Sequence, residues 1–278
     1  MQIQTPGEIP GFFVGPNPKQ AAGKEEIMKE LWNNVTEHAG YVCGFLAIIA
    51  GLFVLAAVLD RLSAKKRGDT DPVFSTRKVT MIGMFSALAG VLMLFEIPLP
   101  FAPSFYKLDF SELPILIGGF AFGPTAAVMM EFLKILLKLL LKGTSTAFVG
   151  ELANFAVGCS LVLPASVIYG FRKTRTSALV SLLAGTFTMT IFGTLFNAVY
   201  LMPAFSALYG IPMEVLLEMG AAVNPLAGGG LYSFVFACVA PLNLIKGLLD
   251  GAVTLLVYKK ISPLIKGNSK HERLQTIA

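Results

Sequence analysis

Ala240-Pro241-Leu242-Asn243-Leu244-Ile245-Lys246-Gly247 decides how this chain is read. The eight residues lie inside an almost wholly apolar run, Leu231 to Tyr258. At 1.5 Å per residue such a run crosses a ~30 Å hydrocarbon core as a helix. A charged side chain near the bilayer centre costs at least ~2.5–3.5 kcal/mol, so it faces a protein interior or a polar cavity. Asn243 and Lys246 stand at i and i+3 and share one helix face. They read as two polar groups aimed at a ligand. Asp250, four residues after Lys246, supports a plainer reading in which an intrahelical ion pair neutralises the lysine.

Outward from that stretch, the composition agrees with a membrane setting. Of 278 residues 55% are apolar and 14% charged, which excludes an ordinary soluble domain and points to an all-α polytopic membrane protein. Residues 1–39 read as a polar tail with Pro6, Pro10, Pro16 and Pro18, containing a short helical piece around Lys24–Glu37 and no signal-peptide core. Residues 40–60 hold a leading transmembrane helix, Tyr41–Leu59. Residues 61–78 form a basic linker, 79–266 a core of six apolar segments, and 267–278 a polar tail. The six segments are Val79–Phe95, Pro114–Phe122, Thr125–Leu141, Gly150–Phe171, Ala178–Met202 and Leu231–Ile261. The second is too short to span alone, so its backbone must be buried in protein or line a cavity. The loop Pro203–Gly230 is expected to contain a short helix near Met213–Ala222 and to end in a flexible Gly228-Gly229-Gly230 hinge.

The net charge of +5 sits mainly in short loops and fits a lipid bilayer rather than nucleic acid. Arg61, Lys65, Lys66, Arg67, Arg77 and Lys78 mark the linker as cytoplasmic, as do Arg172, Lys173 and Arg175 and the C-terminal lysines. The N-terminus and the loops at 96–113, 143–149 and 203–230 then face outward. Lys142 is expected to snorkel, and Lys134, three residues after Glu131, to face inward. Cys43, Cys159 and Cys238 are isolated and read as small buried hydrophobes.

Several chemistries lack their parts. There is no G-x-x-x-x-G-K-[ST], no H-E-x-x-H and no G-x-S-x-G, and His38 and His271 both lie in tails. An enzyme is therefore not expected, nor a metal or cofactor. What remains is a set of polar residues toward the outer half of the bundle. The loop Glu96–Leu113 is stiffened by prolines, and Phe101 and Phe105 suit either a wall for a flat ring or an interfacial belt. Tyr106, Leu108 and Asp109 join the candidate set from the same loop. Asp109 with Ser111 serves equally well as a helix start. Asn154 and Asn197 are each open to ligand contact or to helix–helix bonding.

In order along the chain, Glu96-Ile97-Pro98-Leu99-Pro100-Phe101, Leu108-Asp109-Phe110-Ser111-Glu112-Leu113-Pro114, Gly119-Phe120-Ala121-Phe122-Gly123-Pro124, Ala153-Asn154-Phe155 and Pro241–Gly247 resemble the substrate-capture subunits of energy-coupling factor (ECF) transporters. Within that family the likeness is to the riboflavin-specific members, and it runs from about Ser75 to Lys266. The resemblance implies a six-helix protein that binds riboflavin as transported ligand from outside the prokaryotic plasma membrane. It also implies docking on a membrane coupling subunit with two ATPase subunits. Asn154, Asn243 and Lys246 match positions that contact the flavin in similar proteins; amides and an ammonium suit the acceptors of its uracil-like edge. Docking in the family uses small residues of the first core helix, here Gly83 with Ala87 and Ser86 with Gly90, where similar proteins carry an alanine pair. Asn197 precedes Ala198-Val199-Tyr200 where similar proteins tend to have Tyr-Phe, and the leading helix is additional to the six-helix core. The rival expectations are the same fold with another vitamin or flavin analogue, a stand-alone or proton-coupled carrier using Lys246 and Asp250, and a scaffold in which Asn243 and Lys246 only join helices.

Overall fold

A computed structural model describes residues 39–67, 75–144, 146 and 148–266. The expected helical piece at Lys24–Glu37 and the C-terminal tail lie outside the described residues. Helix α1, Ala39–Arg67, continues past the expected end at Leu59 into the basic stretch, because Asp60 to Arg67 contains no breaker. Among the described residues four helical stretches are long and apolar enough to cross a membrane: Leu46–Ser63, Val149–Phe171, Arg175–Ala207 and Leu231–Tyr258.

Helix α2, Thr76–Leu92, starts at Ser75, whose hydroxyl accepts the Lys78 N–H at 3.3 Å. A hairpin of two-residue strands follows, β1 (Ile97–Pro98) against β2 (Lys107–Leu108), braced by Lys107 on Glu96 at 2.9 Å. Helices α3 (Glu112–Phe122) and α4 (Pro124–Lys142) meet at Gly123, whose φ of 97° only glycine adopts without strain, and Pro124 opens the next helix. Helix α5, Val149–Phe171, carries Pro164 in its interior.

Helix α6, Arg175–Phe196, passes through a π-turn, Asn197–Leu201, into α7, Met202–Tyr209. The helix thus runs through Pro203, where the sequence suggested a loop. The Met202 N–H bonds back five residues to the Asn197 carbonyl, and this wider turn just ahead of the proline fits a residue that cannot donate. Helix α8, Met213–Val223, stands where a short helix was expected. The three glycines are not an open hinge: Pro225–Gly229 forms a 3-10 turn, held at its start by the Asn224 side chain accepting the Leu226 N–H. Helix α9, Leu231–Phe234, then enters a second π-turn, Val235–Val239, two residues before Pro241, and continues as α10, Ala240–Lys266.

Packing separates the bundle into zones. Away from the long loops, Phe120, Tyr169 and Tyr258 form a ring cluster with centroids 4.2–5.7 Å apart. At the loop-rich end, Tyr106, Phe205, Leu216 and Phe234 fill the space beneath α8. Helix α1 covers the α4 and α5 side, burying Ile49 and Ala56 and setting Phe53 edge-on to Phe132 at 5.9 Å. Cys159 and Cys238 are buried, but Cys43 is exposed on α1, contrary to expectation, since a lone helix on the flank offers only one face to the core.

Candidate functional site

One face of α10 carries Asn243, Lys246, Asp250 and Thr254, all buried. Spacings of three and four residues place them in a single column. Lys246 does not turn to Asp250. Its Nζ lies 3.0 Å from Asp109 Oδ2 and 2.7 Å from Glu112 Oε2. Both Asp250 oxygens are buried without a hydrogen-bond partner among the described residues. The intrahelical neutralisation reading is therefore corrected: the link after β2 and the start of α3 supply nearer carboxylates.

Asp109 and Glu112 reach the lysine because the hairpin folds back into the bundle and α3 starts there. Asp109 Oδ1 accepts the Ser111 N–H at 2.8 Å, so the helix-start role expected for this pair is filled through Asp109. Ser111 itself makes no side-chain cap; its hydroxyl donates to Glu112 Oε2 at 3.2 Å and accepts from Lys134 Nζ at 3.2 Å. Lys134, fully buried, also pairs with Glu112 Oε1 at 3.0 Å and approaches Glu131 Oε2 at 2.6 Å. The inward direction expected for Lys134 is the one observed. Lys138 pairs with Glu151 at 3.0 Å, and Lys142 reaches toward Glu96 at 3.8 Å.

Two of the three asparagines, Asn197 and Asn243, meet at Gly193 of α6. Asn243 is buried, and its Nδ2 has no partner among the described residues. It sits so close to Gly193 of α6 that a Cβ there would stand 2.5 Å from it and 3.4 Å from Val157 of α5. Asn154 lies one turn along α5 from Val157, half-buried, its amide donating to its own Gly150 carbonyl at 3.0 Å. The Asn197 amide is engaged on both sides: Oδ1 accepts from the Tyr106 hydroxyl at 2.7 Å, and Nδ2 donates to the Gly193 carbonyl at 2.7 Å. Burial pushes the Tyr106 phenol above its ordinary value, so it stays protonated as the donor of that bond. Leu108 is buried beside it in the strand. Phe101 and Phe105 are half-buried in the same zone, and Phe105 packs on Tyr106 at 4.7 Å.

On α2, Ser86 and Gly90 turn into the bundle, Ser86 bonding the Ile82 carbonyl and Gly90 facing Leu137. Gly83 and Ala87 stay on the exposed face. Residues that sequence reasoning left out of the site are Ser111, Glu112 and Lys134. For Glu112 and Lys134 the available signal was charge: Glu112 stands three residues after Asp109, and Lys134 three after Glu131.

The arrangement offers hydrogen-bond donors in an apolar frame. Lys246 has three N–H groups and two carboxylate partners, and Asn243 presents an unmatched amide one turn away. A ligand presenting acceptors suits both.

Comparison with known proteins gives the family. Residues 77–258 match the family model of the ECF transporter substrate-specific component. The riboflavin transporter FmnP of Bacillus subtilis (strain 168) is 31% identical over 191 residues, which cover 68% of this chain and 94% of that protein. The riboflavin transporter RibU of Staphylococcus aureus (strain TCH60) is 32% identical over 190 residues, covering 68% and 93%. The solved structure of the S component of a bacterial ECF transporter superposes with a TM-score of 0.54 at 32% identity, covering 69% of this chain and 99% of that one. Helix α1 lies ahead of the segment that the family model matches. The chain belongs to the substrate-specific components of ECF transporters, multi-pass membrane proteins of transport rather than enzymes.

Proposed function

We propose that this protein is a riboflavin-capture subunit. It takes the vitamin at the loop-rich end of the bundle and passes it inward together with a membrane coupling subunit and two ATPase subunits. The observation that carries the reading is the unpartnered Asn243 amide one helical turn from the Lys246 ammonium. A buried donor left unmatched costs ~1–3 kcal/mol, and a flavin carbonyl or ring nitrogen relieves that cost on binding. Asn154 stands on α5 one turn from Val157, which flanks Gly193 beside Asn243, and Tyr106, Leu108 and Phe105 supply the apolar surroundings that a planar ring requires. Relatives named as riboflavin transporters support the choice of ligand.

In this proposal the loop-rich end and the N-terminus face outward and the basic C-terminal end faces the cytoplasm. The exposed Gly83 and Ala87 face of α2 meets the coupling subunit by close helix approach. A proton-coupled carrier built on Lys246 and Asp250 is disfavoured, because the lysine pairs with Asp109 and Glu112 instead.

Titration of purified protein with riboflavin, read by quenching of the flavin's own fluorescence, tests the proposal. Saturable, stoichiometric quenching that thiamine, biotin and folate do not compete away is the expected result. No binding in either detergent or lipid sinks it.

A further inference from the structure

A lysine ammonium is a point charge on a flexible stem with three rotatable donors, and by itself it aims none of them. Lys246 is different because two carboxylates flank it. Asp109 Oδ2 accepts one of its hydrogens at 3.0 Å, and Glu112 Oε2 stands 2.7 Å away as an ion-pair partner. Held between the two, the ammonium is restricted in where it can turn its remaining hydrogens. Asp109 lies just after β2, in the link to α3, whereas Glu112 is the first residue of α3 and only 2% exposed.

Glu112 is itself pinned at both oxygens. Oε1 takes Lys134 Nζ at 3.0 Å, and Oε2, besides Lys246, takes the Ser111 hydroxyl at 3.2 Å. Lys134 in turn reaches Ser111 Oγ at 3.2 Å and Glu131 at 2.6 Å. Among the described residues Glu112 is the one group within ion-pair range of both buried lysines. The carboxylate therefore has little freedom to rotate, and it carries the position of α4 through α3 to the ammonium on α10.

We propose that Glu112 is a positioning residue for ligand capture: it orients Lys246 toward the ligand and, through its second oxygen, makes that orientation depend on Lys134. The proposal rests on the riboflavin assignment above. It differs from a neutralising role, in which Glu112 would only offset two lysine charges and its loss would weaken the bundle without acting through Lys246.

Riboflavin fluorescence quenching on the full chain separates the two, using wild type, Glu112→Gln, Lys246→Met and the double variant. Wild type that fails to quench overturns the riboflavin assignment and this inference with it. Given wild-type binding, Glu112→Gln should raise Kd roughly tenfold or more, the scale of a hydrogen bond to a charged group. In the Lys246→Met background the same change should alter Kd by less than about twofold, because nothing remains to be aimed. A wild-type Kd in Glu112→Gln, or the same factor in both backgrounds, overturns the proposal. Should Glu112→Gln fail to fold, Lys134→Met carries the test, since it releases Oε1 and leaves the Lys246 contact in place. It should raise Kd about threefold or more with Lys246 present and not in its absence. An unchanged Kd in Lys134→Met overturns the link between the two lysines.

Discussion

Two lysine–carboxylate networks are buried in this bundle, and they differ in how completely they are closed. Near the loop-rich end, Glu151 of α5 takes Lys138 at 3.0 Å and the hydroxyls of Thr144 and Thr146 at 2.9 Å each. Those hydroxyls also accept N–H groups from Thr146, Phe148 and Gly150. Among the described residues no polar side-chain atom of this group is left buried and unpartnered. Deeper in, Asp109, Glu112, Lys134 and Lys246 are tied together just as closely. Around them, however, stand the unmatched Asn243 amide, both oxygens of Asp250, and a Glu131 carboxylate that touches Lys134 without an aligned hydrogen bond. Folding alone can complete a network whose only task is to join helices. A buried donor left unmatched in the middle of the bundle, the Asn243 Nδ2, marks a place where the protein keeps a hydrogen bond for something that arrives later.

Removing the ammonium breaks the comparison most sharply. Lys246→Met should weaken riboflavin binding roughly a hundredfold, since it deletes a charge-assisted contact and leaves Asp109 without its ion-pair partner, while Glu112 keeps Lys134. A fluorescence titration within threefold of wild type would remove Lys246 from the site. The closed network should respond in the opposite manner. Glu151→Gln leaves Lys138 with a neutral partner in a buried setting, and the thermal midpoint should fall by on the order of 5 °C. Riboflavin affinity should stay within about twofold. A loss of affinity without a fall in midpoint would reverse the assignment of the two networks.

Much of the fold was legible because an apolar run of about twenty residues is long enough to cross a bilayer and too greasy for a surface. The runs ending at Phe171 and Tyr258 end there in the apolar stretches of the structure. Legibility failed where polar groups are satisfied by distant partners. Helix α4 carries Glu131, Lys134, Lys138 and Lys142, and composition alone makes it a poor span. Carboxylates from α3, α5 and the hairpin neutralise three of those lysines across sequence separations no local pattern reveals. The partner of Lys246 escapes a local reading for the same reason. Asp250 is near in sequence, whereas Asp109 is 137 residues away. The π-turns leave little trace in the sequence because they are register shifts inside continuous helices, marked only by a proline shortly afterwards. Asn243 and Lys246 stood out because polar residues in a lipid-length apolar run need a reason.

Asn243 sharpens the comparison further. Its Nδ2 is buried and unmatched, so shortening the side chain removes a donor that contributes nothing to the fold without ligand. Asn243→Ala should raise the riboflavin Kd about tenfold while the ligand-free thermal midpoint changes little. The informative quantity is the ligand-induced rise in midpoint, which should shrink relative to wild type at equal riboflavin concentration. A drop in the ligand-free midpoint comparable to that of Glu151→Gln would mean that the amide joins helices after all.

Asp250→Asn is the smallest expected effect and the most direct probe of the open network. A buried carboxylate without hydrogen bonds is a cost to the fold unless a counter-charge offsets it. Asparagine keeps the shape and removes the charge. Lys246 keeps Asp109 and Glu112, so its place in the bundle does not depend on Asp250. The thermal midpoint should therefore hold or rise slightly, by the equivalent of about 0–1 kcal/mol, and riboflavin affinity should stay close to wild type. A fall of several degrees would show that Asp250 serves as a true counter-charge to Lys246. In that case the deep network is as closed as the one around Glu151, and orphaned atoms no longer distinguish a site from a scaffold in this bundle.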